Sequence, residues 1–364
     1  MVIAVAIPVI SVLVFVHEFG HYLVARWCGV RIETFSIGFG RELFGWTDRV
    51  GTRWKVSVLP LGGYVKMFGE SDTNDDGPRL TPEERAVSFH YQPLWGRAAV
   101  VSAGPAANFL FAIVVMTGLF ATAGEPFTPP VVTEVQSGSA AELGGIKAGD
   151  RFVSVAGQPV DRFEEIQTIV RDNPNVPLAV VVNRNGTQTS LQVTPELHEE
   201  KDNFGVSHHV GLFGIKGSAR EFVRHPLGTA ALRSVEEIYS LSAQTLTAVG
   251  QMIVGTRGTE DLGGPVRIAQ MSCEAATFGI VAIVWFLAVL SINLGLVNLF
   301  PVPVLDGGHL LFYAVEAIRG KPLGPKAQEV VFRIGFALVV SLMIFATWND
   351  LHLKVFELLK KLGT

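Results

Sequence analysis

Long apolar runs alternate with polar blocks along the 364-residue chain, and the run lengths predict the first level of its architecture. A membrane hydrocarbon core needs about 20 predominantly apolar residues per helix. Four stretches meet that need, near residues 2–25, 97–123, 279–300 and 330–348. A fifth run, Leu241–Val254, is about 14 residues long, which predicts a core or interfacial helix rather than a crossing. The first run does not read as a signal peptide, because no Lys or Arg precedes it and its centre holds His17, Glu18 and His21.

The runs divide the chain into a first transmembrane helix (1–25), a polar loop (26–96) and a second helix (97–123). A large polar block follows, then a third helix with the segment after it (279–308), a loop (309–329), a fourth helix (330–348) and a tail (349–364). Within 26–96, Trp54–Phe68 reads as a strand-like stretch, and Gly62-Gly63 marks a hairpin turn or a bulge. The large polar block splits in two. Over 124–196, short β-type runs (VVTEV, RFVSVAG, LAVVVNR, TSLQVTP) surround one helical stretch at Phe163–Arg171, which predicts a small α+β module. Over 197–278 the pattern predicts helix, from about Ala219 onward.

Composition agrees with a membrane chain. It is 49% hydrophobic and only 17% charged, where soluble domains carry about a quarter charged residues. Its 29 basic against 33 acidic residues give no sign of a nucleic-acid surface. Cys28 and Cys273 lie far apart without CxxC partners, so they predict small buried hydrophobes rather than a disulfide or a thiolate metal site. Lys and Arg are denser in 26–96 than in the acidic 124–278 block, which places the first loop in the cytoplasm and both chain ends on the other side.

The sharpest chemistry is His17-Glu18-Phe19-Gly20-His21, an HExxH motif. On a helix, residues i and i+4 share a face, so both imidazoles can reach one Zn²⁺ while Glu18, about 100° away, can contact water at the metal. Two His and a Glu inside a membrane span need a compensating partner, because each charge there costs about 3 kcal/mol or more. Catalytic zinc commonly takes a third protein ligand. Asp306 is the first candidate, directly after the third span in a Pro- and Gly-rich stretch running from Asn298 to Gly308, with His309 a weaker competitor. Such a helix break is tolerated in a membrane only beside a protein-lined cavity. Counting spans supports Asp306: His17 and His21 lie toward the far end of the first span, and the third span returns to that same side only if Leu241–Val254 does not cross. Read on the residues alone, the same groups could also line the ion path of a transporter, or belong to a membrane scaffold that only binds.

HExxH in a first span, NxxPxPxLDGG after a late one and a soluble module between them resemble the site-2 protease family of intramembrane zinc metalloproteases. Leu59–Glu70, Gly104–Phe109 (GPAANF), Leu262–Ala269 and the 298–308 stretch look like family segments. The resemblance implies zinc bound by His17, His21 and Asp306, with Glu18 activating water. It also implies that Asn293 and Asn298, placed by approximately helical spacing on one face, hold the substrate chain, where the residues alone allow a helix–helix hydrogen bond for each, and that Asn108 has a structural or site-orienting role. The block around Gly138–Asp150 and Arg151–Val155 resembles a PDZ domain, single here where the best-known members carry two in tandem. The expected fold is a polytopic α-helical membrane protein with four transmembrane helices, a membrane-associated β-hairpin region and one inserted α+β PDZ-like domain.

The expected function is cleavage of single-span membrane proteins in the bilayer of a bacterial inner membrane, such as anti-sigma factors or remnant signal peptides. The active site then lies toward the cytoplasm, and both termini and the PDZ-like domain are periplasmic. A strand over Val56–Met67 would capture the unwound substrate by strand addition, through Val56, Val58, Leu61, Gly62, Gly63 and Tyr64. A peptide in the PDZ groove is a further possible partner, and nucleic acid is not one.

Overall fold

The computed structural model describes residues 2–69, 80–201, 207–219, 221–255 and 263–362. Glu70 and Leu262, which end two of the family-like segments, lie outside the described residues, as does the Leu61 side chain. The chain forms two compact units, one of Met1–Leu119, Gly228–Val249 and Glu260–Thr364, the other of Phe120–Leu227 and Gly250–Thr259.

The first unit opens with α1 (Val2–Trp27), followed by β1 (Ile32–Thr47), β2 (Arg53–Met67), the short α2 (Pro82–Val87) and α3 (Leu94–Thr122). Strand β1 had no counterpart in the sequence reading. It pairs antiparallel with β2, and each strand folds on itself, so Phe35 stands opposite both Val65 and Trp54. Between Ile37↔Gly63 and Phe39↔Leu59 the register skips residues 60–62, so the Gly62-Gly63 signal is a bulge, not a hairpin turn. Gly62 has φ +128°, a conformation open to glycine. Phe35, Ile32, Val65 and Met67 bury their side chains with Ala25 and Val100, tying the β-structure to α1 and α3.

The second unit contains β3 (Glu125–Phe127), β4 (Val132–Val135), α4 (Ala140–Leu143), β5 (Arg151–Val155), β6 (Gln158–Pro159) and α5 (Phe163–Arg171). It continues with β7 (Leu178–Arg184), β8 (Thr187–Val193), β9 (Glu196–Lys201), β10 (Ser207–Leu212), β11 (Ile215–Gly217) and β12 (Glu221–Val223). A four-stranded sheet in the order β6-β5-β7-β8 carries the core, where Phe152, Val155, Val180 and Val182 meet Phe163, Ile166 and Val170 of α5. The module does not stop at 196, and the chain after it is not simply helical. β11 pairs with β4, β12 pairs with β3, and Phe213 is buried in the same core. These closing strands are short and interrupted by Gly211, Gly214 and Gly217, so they carry too few alternating apolar positions to read as strands.

The chain then enters α6 (Leu227–Val254), α7 (Pro265–Thr277), α8 (Ile280–Asn298), α9 (Asp306–Arg319) and α10 (Pro325–Leu362). Helix α6 starts at Leu227, after β12, rather than near Ala219. Four helical segments are long and apolar enough to cross a membrane: Val5–Trp27, Leu94–Thr122, Ile280–Asn298 and Lys326–Asp350. These are the four runs of the hydropathy pattern. Helix α6 is not among them. Its Ile238 packs instead against Ala112 and Met116 of α3 and Ala288 and Ile292 of α8.

Two expected connections are helical. Residues 309–329, read as a loop, contain most of α9, and the tail after 348 continues α10. Gly307-Gly308 looks like a helix break in sequence, but its role is close approach: a Cβ at Gly307 would lie 2.2 Å from the Phe300 carbonyl oxygen, and one at Gly308 2.5 Å from that of Val302. The two cysteines are unpaired and half-buried rather than fully buried.

Candidate metal centre

Three side chains from two helices converge on one point. Helix α1 presents His17 and His21 one turn apart, and the first residue of α9 is Asp306. The Nε2 atoms of the two imidazoles are 3.2 Å apart. Asp306 Oδ2 lies 3.2 Å from His17 Nε2 and 3.6 Å from His21 Nε2. His309 is not in this cluster and packs instead against the rings of Phe312 and Phe332.

The spacing itself tests whether a metal fits. Ligands arranged tetrahedrally at about 2.0–2.1 Å from zinc stand about 3.3 Å from one another. The observed 3.2, 3.2 and 3.6 Å match. Asp306 Oδ2 is buried without a hydrogen bond of acceptable geometry, although two nitrogens lie near it. One cation shared by three electron-pair donors satisfies all of them. The donors are two imidazoles and a carboxylate, a set suited to a catalytic zinc that keeps one position open.

Helix α3 builds the wall behind the ligands. His21 Nδ1 lies 2.8 Å from the Val100 carbonyl oxygen, which fixes a proton on Nδ1 and leaves Nε2 to face the metal point. His17 Nδ1 lies 3.1 Å from the Asn108 amide. The helices approach closely at two glycines. A Cβ at Gly20 would lie 2.3 Å from the Ala103 carbonyl oxygen, and one at Gly104 would lie 2.2 Å from His21 Nε2. The sequence signal for this wall is GPAANF, where Gly104 and Asn108 stand four residues apart on one helical face. Val100 contributes a backbone carbonyl and had no sequence signal.

Strand β2 reaches the same place from the other side. Gly63 lies against α1, where an added Cβ would be 2.7 Å from Val14 Cγ1 and 3.2 Å from Glu18 Cγ. The Val65 backbone faces the Glu18 carboxylate. Val56 and Val58 are exposed. The two asparagines of α8 are not on one face: five residues apart on a regular helix, they point about 140° apart. Thr245 of α6 donates to Asn293 Oδ1 at 3.2 Å, and Asn293 Nδ2 donates to the Val289 carbonyl, so this amide is engaged. Asn298 is the last residue of α8 and half-buried.

The sequence pattern of peptidase family M50 matches residues 5–342. The chain belongs to peptidase family M50. This M50 peptidase is 48% identical over 355 residues to an Agrobacterium fabrum protein with a provisional zinc-metalloprotease name, the match covering 95% of this chain and 94% of the relative. It is also 33% identical over 446 residues to the regulator of sigma-E protease RseP of Salmonella typhimurium, covering 96% and 98%. A solved PDZ domain of an SdrC-like protein from Listeria monocytogenes is 13% identical, covering 25% of this chain and 88% of that one, at a TM-score of 0.20. The M50 peptidase is therefore a zinc metalloprotease, which removes the transporter and scaffold readings.

Proposed function

We propose that this metalloprotease hydrolyses peptide bonds within the membrane segments of single-span membrane proteins, with His17, His21 and Asp306 holding the zinc and Glu18 acting as general base. The observation that carries the reading is the convergence of those three donors at tetrahedral spacing, two of them on a helix long enough to span a bilayer. Zinc held there would supply a Lewis acid that lowers the pKa of water to about 7. Glu18 takes the proton from the attacking water and returns it to the leaving amine. Val100 and Asn108 keep the imidazoles facing inward, so the ligands need no reorganisation as the reaction proceeds.

A helical substrate must open before its carbonyl can be attacked. The end of β2 supports a capture surface: among the described residues its 63–67 stretch pairs on one side only, with Ile32–Ile37 of β1, and it passes directly beside Glu18. An unwound substrate segment would add to it as a strand, with Gly62, Gly63 and Tyr64 nearest the chemistry and Val56 and Val58 extending the apolar surface. Asn298 and Asn293 would hold the substrate backbone further along, and Asn293 must first release Thr245. The groove between α5 and residues 211–216, about 660 Å³ and lined by Phe163, Ile166, Val170 and Phe213, would take an extended peptide in the PDZ-like manner. In the proposed orientation the enzyme sits in a bacterial inner membrane, with the metal toward the cytoplasm and both termini and the PDZ-like module on the periplasmic side.

Cleavage of a labelled single-span peptide by detergent-purified enzyme tests the reading. Glu18→Gln should abolish turnover while zinc stays bound, and chelation should abolish turnover in the parent. Undiminished cleavage by Glu18→Gln would exclude the assigned role.

A further inference from the structure

Helix α9 supplies Asp306 from its first residue, so the place of the third ligand depends on how α9 is held along its length. Residues 306, 309, 313 and 316 follow the helical repeat and form one stripe of α9, and residues 97, 100, 104 and 108 form one stripe of α3. At the metal end, α3 carries the Val100 carbonyl and Asn108, which hold His21 and His17, and those imidazoles face Asp306. At the other end, Arg97 Nη2 donates to Glu316 Oε1 at 2.6 Å, and the Arg97 guanidinium lies 5.0 Å from the centre of the Tyr313 ring. Arg97 Nε also donates to the Gln92 carbonyl at 3.2 Å, so the guanidinium is fixed from three directions. The Arg97 and Glu316 side chains are only 13% and 17% exposed.

We propose that Arg97 and Glu316 are positioning residues, a clamp between α3 and α9 that sets the direction of α9 and thereby the place of Asp306 at the metal. The inference rests on reading His17, His21 and Asp306 as the zinc ligands. Ten residues of helix separate Glu316 from Asp306, a lever of about 15 Å. A tilt of about 4° about the clamp moves Asp306 by about 1 Å, several times the roughly 0.2 Å by which ligand distances in metal sites vary. Gly307 and Gly308 sit against the backbone of 299–303 and fix the depth of α9, Leu310 and Tyr313 pack on the cluster around Phe35, and His309 and Phe312 on Phe332; the ion pair adds a charged anchor at the end of the helix far from the metal. A mostly buried ion pair is a firm anchor because swinging one charge away leaves the other buried and unpaired.

The test uses the full-length enzyme in detergent. Zinc affinity is measured by competition with a chelator, and the visible spectrum of the Co²⁺-loaded protein reports coordination geometry. Arg97→Ala and Glu316→Ala should each weaken zinc about tenfold, the lower end of what loss of a ligand's own hydrogen-bond partner costs, and should alter the Co²⁺ spectrum. The double variant should be no worse than either single one, and the exchange Arg97→Glu with Glu316→Arg should recover most of the loss. Affinities within threefold of the parent, or additive losses, would overturn the clamp. Should the alanine variants fail to fold, the isosteric Glu316→Gln is read by the same criteria. Asp306→Ala separates the two claims: if it loses zinc while the clamp variants do not, the clamp alone is wrong, and if it keeps full zinc affinity, the ligand assignment itself is wrong.

Discussion

At the scale of single residues, the metal centre depends on groups that never touch the metal. A histidine that binds through Nε2 carries its proton on Nδ1; the structure sets Asn108 Nδ2 3.1 Å from His17 Nδ1 and leaves the buried Asn108 Oδ1 without a partner, so with zinc bound the amide turns over and its oxygen accepts from the ring. Asn108 is fully buried. Asn108→Ala should therefore lower zinc affinity about 10–100-fold in a chelator titration, with cleavage falling in parallel. Unchanged affinity would reduce Asn108 to a packing residue. His17, Glu18 and His21 were legible because metal binding fixes both residue type and spacing, and Asp306 because span parity brought one acid back to their depth. Val100 was not, since a backbone carbonyl leaves no mark in sequence, and Arg97 and Glu316 were not, since 219 residues separate them.

At the scale of elements, glycines decide how closely the pieces approach. Gly63 lets β2 lie against α1 beside Glu18, and valine there would force the strand away from Val14 and Glu18. Gly63→Val should reduce cleavage at least tenfold while zinc content stays at the parent's level, because the ligands lie on α1 and α9. Equal turnover would argue against β2 as the capture strand. The same glycines explain what the pattern concealed. Gly307-Gly308 resembles a break yet starts α9, and Gly38 and Gly40, at φ +89° and +85°, interrupt the alternation that would have exposed β1. In the second unit, buried Asp150 accepts two bonds from Arg184 at 2.7 Å and one from the Lys147 backbone. Burial pushes its carboxyl up, but these donors outweigh it and hold it below the ordinary carboxylate value. A folded-state value that is lowered contributes stability above the unfolded value of about 3.9, and that contribution is lost as pH falls through the lower folded one. Asp150→Asn should therefore cost about 2 kcal/mol at neutral pH, and the gap from the parent in thermal melts should shrink toward pH 3.

For the whole molecule, the metal centre constrains the path of the chain through the bilayer. His17 and His21 stand near the end of the first span and Asp306 follows the third, so those two ends must share a side, which requires an even number of crossings between them. Helices α3 and α8 supply two. Helix α6, at 28 residues, is long enough to add another, and a crossing by it would send Asp306 to the opposite face. Its packing along α3 and α8 through Ile238, with Ser234 and Thr117 hydroxyls 3.0 Å apart, is then that of a helix lying beside the spans without completing one. Single-cysteine reporters check this path once Cys28 and Cys273 are replaced by serine. In the proposed orientation, a membrane-impermeant thiol reagent should label Leu143→Cys, in the α+β module, from the outer face of intact spheroplasts, and should reach Lys321→Cys, just past α9, only in inverted vesicles. Labelling of both from one face would mean an even number of crossings between the module and the end of α9, the count that a crossing by α6 would give, and would overturn its placement beside the spans.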